Sequence, residues 1–400
     1  MEKIVAQQTI ENRSAFSFSQ MFLSRFSDRL RQSLIEHLHI YKGVLKGTKY
    51  QRVSIVGIEK DTVYISVLCT CAIEQNGADR ICELVMDCAA DVKDQYNSIF
   101  VRCICEPITV YHGEQILPDD LIPNLHKQDL DKLAEKILRE YYPRAMNYAV
   151  ALPVETFALK LGCHVEYKNI NPKNEIYGKV FFADSATTVY SLDGTPGIQP
   201  VKRGTIFVNH TFPEAPISRN TVIHECVHWL LHRYAFAFLY SQSEEKAMVD
   251  SRNTNAFASE SCKSALDRRE WQANALAPRI LLPAWETRFI AEQWMDKFKR
   301  LAPRLRMERV IEHVSSHFKV SKQMTKIRLL ELGYKEAELA FDYNAKEQYE
   351  IEPIQIAREY YRNPVFREAL SDGQYAYVSM NPCGMRSVCC LRRKQSQRTY

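Results

Sequence analysis

The chain has 400 residues, with 46% hydrophobic and 25% charged residues, a composition ordinary for a folded globular protein of two or three domains. Its 53 Lys and Arg exceed its 48 Asp and Glu by a net charge of only +5, too little to mark it as a nucleic-acid coat or a polybasic membrane binder. The first twenty residues lack the uninterrupted apolar run of a signal peptide, and no stretch approaches bilayer length, so the expected location is the cytoplasm, with no membrane contact.

Residues 1–120 read as an N-terminal module. A helix-prone start (SQMFLSRFSDRLRQSLIEHL) precedes the β-rich runs QRVSIVGI, TVYISVLCTCAI, ICELVMDCA and FVRCICEPITV. In a reducing compartment the twelve cysteines are expected as thiols. Cys69 with Cys71, and Cys103 with Cys105, lie two apart on predicted strands, so each pair shares a face. Core packing is expected for them, because C-x-C on two strands lacks the C-x-x-C knuckle of zinc sites.

A second unit, 121–300, begins after a linker with Pro118 and Pro123. Leu130, Leu133, Ala134, Ile137 and Leu138 give DLDKLAEKILREYY a helical stripe, and VETFALKLG reads as a helix stopped by Gly162. CHVEY, GKVFFAD and GTIFVN read as short strands, so the unit is predicted to be α+β, helices around a small sheet.

The next segment, TVIHECVHWLLH, carries His224-Glu225-Cys226-Val227-His228. At this composition H-E-x-x-H should arise by chance at about 0.02 occurrences per chain of this length. On a helix, positions i and i+4 share a face, so both imidazoles can reach one metal ion while Glu225 approaches a water beside it. That is the donor set of zinc hydrolases, with Zn2+ as cofactor and Glu225 as catalytic base. The alternative is a core helix with two buried histidines. Asn220 or Ser218 is expected to cap this helix, which should run to about Tyr240. Cys226 points away from the metal face and reads as core. His232, one turn further along, either caps the site or touches it; Tyr234 and Tyr240 are weaker oxyanion-stabilising candidates.

A catalytic zinc needs a third protein ligand and an open position. A His six residues after His228 would serve, but Tyr234 stands there. The downstream acids are Glu244, Glu245, Asp250, Glu260, Asp267 and Glu270. Most fall in SQSEEKAMVDSRNTNAFASES, which reads as a mobile polar insertion. Glu270 opens EWQANALAPRILLP, a helix predicted to end near Pro278, whose Ala273, Asn274 and Ala277 are small enough for close packing; it is the favoured third ligand.

Together HECVHWLLH and EWQANALAPRILLP resemble the ImmA/IrrE-type zinc metallo-endopeptidases, over roughly Asp129 to Tyr334. The resemblance implies a zincin-like metalloprotease domain, with zinc on His224, His228 and Glu270 and Glu225 as base. It implies a protein substrate, a helix-turn-helix transcriptional repressor. It departs from the family in the long insertion Ala235 to Arg269.

Residues 301–345 (RLRMERVIEHVSSHFKVSKQMTKIRLLELGY within them) predict two helices meeting at Lys319-Val320-Ser321, a helix-turn-helix outline. Lys322, Gln323, Lys326 and Arg328 would face DNA if it read nucleic acid; the resemblance implies instead a pair that buttresses the protease domain. The helical extension 346–400 is expected to end in a basic, disordered tail, with Arg386, Arg392, Arg393, Lys394 and Arg398 and no acid after Asp372. Direct nucleic-acid binding could come only from these helices or this tail. The alternative function is a DNA-associated or stress-response regulator with a structural or vestigial metal site.

Overall fold

A computed structural model of the chain describes residues 17–107, 116–170, 176–191, 193–209, 215–240, 248–252, 265–341, 375–380 and 386–391. The chain divides into a unit of residues 1–340 and a second of residues 341–400. Helix and sheet are segregated along the chain, an α+β arrangement.

The first unit opens with helix α1 (Phe18–Ile40), capped by the Ser17 hydroxyl, which accepts from the Gln20 N–H at 3.2 Å. Phe18, Phe22, Phe26, Leu30, Leu34 and Leu38 recur every four residues and bury one stripe. That stripe lies on a four-stranded antiparallel meander, β1 (Gly43–Glu59), β2 (Thr62–Gln75), β3 (Ala78–Asp91) and β4 (Ile99–Cys105). Strand β2 alternates strictly, with Val63, Ile65, Val67, Cys69, Cys71 and Ile73 inward. Cys69 and Cys71 therefore pack in the core as expected. Cys103 and Cys105 do not: they lie exposed on edge strand β4, where the Cys103 thiol donates to Asp87 at 3.4 Å.

This core extends beyond residue 120. Tyr234, Ala235, Ala237 and Phe238, from the later helix that carries the H-E-x-x-H string, are buried in it. The Phe238 ring lies 4.9 Å from Phe18 and 5.1 Å from Tyr96, and the Tyr234 hydroxyl donates to the Lys60 carbonyl at 3.2 Å.

A linker then leads to α2 (Leu130–Tyr141), α3 (Arg144–Asn147) and α4 (Val154–Lys160), which stops at Gly162 with φ +80°. Five strands follow: β5 (His164–Lys168), β6 (Ile176–Phe181), β7 (Ser185–Tyr190), β8 (Pro196–Val201) and β9 (Thr205–Asn209). Strands β7 and β8 form a hairpin of their own. The second sheet has the order β10-β6-β9-β5, where β10 is Met248–Arg252. Strand β5 runs parallel to β9; β6 runs antiparallel to both β9 and β10.

Helix α5 (Pro216–Tyr240) packs on β6 and β9. It begins two residues before Ser218, so the expected caps Ser218 and Asn220 lie inside it. Pro216 occupies the first turn, where a missing N–H costs nothing. Strand β10 corrects the reading of the polar stretch after α5 as a loop throughout: Ser251 pairs with Gly178 and Asp250 with Lys179, because ladder bonds need backbone, not apolar side chains. Glu244, Glu245 and Glu260 lie outside the described residues.

Helix α6 (Ala265–Leu281) passes through Pro278 instead of ending there. The proline removes one backbone donor. Burial of Leu276, Ala277, Ile280 and Leu281 holds the last turn together nonetheless. Helices α7 (Ala284–Lys297), α8 (Pro303–Phe318) and α9 (Lys322–Glu331) follow. Lys319 between the last two is left-handed, and the Ser321 hydroxyl caps α9, accepting from the Met324 N–H at 3.1 Å.

The α8–α9 pair is tied to the helices before it. Arg328 is fully buried; its Nε donates to the Leu282 carbonyl at 3.0 Å and its guanidinium pairs with Asp131 of α2. Arg279 pairs with Glu331 at 2.9 Å, so four charges tie α2, α6 and α9 together. Lys322 is engaged by Glu312 at 2.7 Å and Lys326 by the Ala340 carbonyl at 2.5 Å. Three of the four side chains that would face DNA are thus spent within the protein. Asp131→Ala would leave Arg328 under-neutralised in a dry site. The Asp131 side chain is 40% exposed, which screens the pair, so the expected loss is about 2 kcal/mol in chemical denaturation. A loss below about 0.5 kcal/mol would reduce the pair to an ordinary surface contact.

In the second unit, β11 (Tyr375–Met380) and β12 (Arg386–Leu391) pair antiparallel. Part of the tail expected to be disordered is therefore a strand, the Val388-Cys389-Cys390-Leu391 run supplying its β-prone residues. The helix-like runs after residue 346 fall outside the described residues.

Among the described residues, no helix is long and apolar enough to cross a membrane.

Candidate metal centre

Helix α5 is apolar on most of its girth, with Val222, Ile223, Cys226 and Val227 buried against the sheet. Trp229 pins it to the previous elements, its ring stacked on Phe182 and its Nε1–H donating to the Leu161 carbonyl at 3.1 Å. The face left over carries His224, His228 and His232 on successive turns, and α6 crosses it, with Ala273 and Ala277 fully buried.

The crossing brings Glu270 to both histidines. Its carboxylate oxygens lie 3.5 Å from His224 Nε2 and 3.3 Å from His228 Nε2, and the two Nε2 atoms are 3.0 Å apart. Bonds of about 2.0–2.1 Å at tetrahedral angles would separate donor atoms by about 3.3 Å, so the three edges match those of a zinc coordination triangle. Among the described residues, these three form the one His/Cys/Asp/Glu group compact enough to hold a metal ion. The donor set fits too: two imidazoles and one carboxylate leave a fourth position open. The His228 side chain is 0% exposed, His224 7% and Glu270 21%, so solvent reaches the cluster from the Glu270 side.

Electrostatics follow from burial and from Glu270. Burial opposes ionisation of Glu270, but His228 and His224 beside it hold the carboxyl well below the usual carboxylate range. Burial presses the His224 ring downward, yet Glu270 more than offsets it and the ring ends above its ordinary value. His228 falls below, and His232 far below, burial being the largest cause for each.

Glu225 is fully buried one residue after His224, and its charge acts on that ring. Strand β6 runs directly against it. A Cβ at Gly178 would sit 2.5 Å from Thr221 Cγ2 and 2.9 Å from Glu225 Oε1, so only glycine allows this approach. Gly178→Ala is expected to cost about 1–3 kcal/mol and to lower turnover by pushing the carboxylate aside. Thermal melting and a peptidase assay report the two effects, and unchanged values in both would remove Gly178 from the site.

The remaining candidates separate clearly. Cys226 is buried in the core, as its helical position implies. The Tyr234 hydroxyl is committed to Lys60, away from the cluster; the side chain of Tyr240 lies outside the described residues. His232 touches His228, with the two Nδ1 atoms 3.0 Å apart. Two residues of α6 join the site unannounced: Asn274 acts on the His224 ring, favouring its charged form, and Gln272 Oε1 lies 2.9 Å from His232 Nε2. Asn274 could have been found from its i+4 spacing to Glu270; nothing local marks Gln272.

Residues 160–330 match the family model of the IrrE N-terminal-like domain, Peptidase_M78. The matched segment runs from the end of α4 into α9 and contains all three cluster residues. It supports the ImmA/IrrE-type family that the two motifs resembled, a family of metallopeptidases. No curated protein and no solved structure matches the chain.

Proposed function

We propose that the protein is a zinc-dependent endopeptidase with a zincin-like active site, acting in the cytoplasm on a protein substrate. The observation that carries this reading is the His224–His228–Glu270 triangle, with donor separations of 3.0–3.5 Å, Glu225 beside it and one side open to solvent. A purely structural zinc site closes with four protein ligands and has no use for Glu225.

His224, His228 and Glu270 would hold the ion, which supplies a Lewis acid and makes water acidic enough to be a nucleophile near neutral pH. Glu225 takes a proton from the attacking water as its oxygen bonds to the scissile carbonyl carbon. The same carboxyl then returns that proton to the amide nitrogen as the C–N bond breaks, leaving a free carboxylate and a free amine. Burial of Glu225 and the closeness of β6 fix the carboxylate for both transfers.

The substrate class we favour is a helix-turn-helix transcriptional repressor, in keeping with the ImmA/IrrE-type match. Metal analysis of the wild type beside His228→Ala tests the first half of the reading: one zinc per chain against none is expected, and a metal-free wild type would end it. Capture of an intact repressor by the Glu225→Gln variant tests the second; intact repressors left uncleaved by active wild type would end that.

A further inference from the structure

His232 and Gln272 lie outside the donor triangle, yet they form a hydrogen-bonded chain that ends on it. Starting from the far end, Gln272 Nε2 lies 2.6 Å from the Pro123 carbonyl. A carbonyl only accepts, so the amide nitrogen must be the donor there. Gln272 Oε1 is then left as an acceptor, 2.9 Å from His232 Nε2, which must carry a hydrogen. His232 is fully enclosed, which favours a neutral ring, so its Nδ1 offers a lone pair. That lone pair faces His228 Nδ1 at 3.0 Å, so His228 must donate from Nδ1. A neutral imidazole with its proton on Nδ1 has a bare Nε2, and this is the atom that faces His224 and Glu270.

We propose that the His228–His232–Gln272–Pro123 chain is a tautomer lock: the Pro123 carbonyl, acting through two side chains, sets which nitrogen of His228 is free to bind the metal. His232 and Gln272 are positioning residues; neither reaches the metal or the substrate. The inference rests on the metal-site reading for its purpose, but the tautomer can be tested without metal. The lock also gives the stretch around Pro123 a task at the site, although it lies 105 positions before His228 in the chain.

The experiment uses the full chain labelled with 15N-histidine and freed of metal. Two-bond nitrogen–proton correlations distinguish Nδ1–H from Nε2–H rings. The wild type should show His228 as the Nδ1–H form. Gln272→Leu should shift His228 toward Nε2–H and weaken zinc binding about ten- to hundredfold in chelator competition. Gln272→Met, which fills the same space but offers His232 no comparable acceptor, should lose both readouts as Gln272→Leu does, a loss that packing alone would not give. An Nε2–H ring in the wild type overturns the lock. So does a Gln272→Leu protein with wild-type tautomer and affinity. If Gln272→Leu does not fold, His232→Phe, whose ring offers His228 no acceptor, carries the same two readouts. A wild type with Nδ1–H His228 that takes up no zinc would sink the metal reading and leave the lock standing.

Discussion

Glu225→Gln is expected to bind a full complement of zinc and to lose peptide hydrolysis by about 10²–10⁴-fold. The two halves of that outcome come from different atoms. The donor triangle is made by His224, His228 and Glu270, none of which changes. The amide is nearly isosteric with the carboxylate, so the close approach of residue 225 to Gly178 survives. What goes is the basic oxygen: an amide cannot take the proton of the attacking water, nor return one to the leaving amine. Metal content and cleavage rate, measured on the same preparation, check both halves. Cleavage at the wild-type rate would mean that another group serves as base. Loss of zinc along with activity would mean that Glu225 helps to build the metal site.

Local chemistry was legible in the sequence because helical geometry is local. The i, i+4 spacing puts His224 and His228 on one face whatever the rest of the chain does. Glu270 was legible at one remove, as the acid that opens a helix with small residues suited to a close crossing. Gln272 was not, since its role depends on how α6 is rotated against α5 and on a carbonyl far back in the chain. Strand β10 is hidden for another reason: Met248–Arg252 has one short apolar pair in a polar stretch, and only the exposed edge of β6 makes it a strand. The β7–β8 hairpin is disguised by Pro196 and Pro200, which argue against a strand except in a small two-stranded sheet such as this one. Asp193-Gly194, with the glycine at φ +84°, lies in its turn.

Phe238→Ala is expected to destabilise the protein by about 3–5 kcal/mol, more than any other single change considered, although residue 238 lies ten positions beyond His228 on α5. The ring is fully buried and packs edge-on against Phe18 and Tyr96. Truncation would open a cavity between α1, the loop carrying Tyr96 and the end of α5, where rigid aromatic neighbours cannot collapse to fill it. The consequence reaches the metal site because α5 is one continuous helix from Pro216 to Tyr240. Its first half carries the histidines, and its second half is a core element of the β1–β4 sheet. Arg203 reinforces the same junction, with a 2.9 Å ion pair to Asp61 and its guanidinium over Trp229. The N-terminal sheet therefore shares its core with the helix that carries the cluster, and a chain begun at residue 121 would expose Tyr234, Ala235, Ala237 and Phe238 together. Such a truncation should aggregate or fail to bind zinc, and Phe238→Ala should lower the zinc-loaded and zinc-free melting temperatures alike. A soluble, zinc-loaded 121–400 fragment as stable as the full chain would show that the shared core contributes nothing to holding the metal helix.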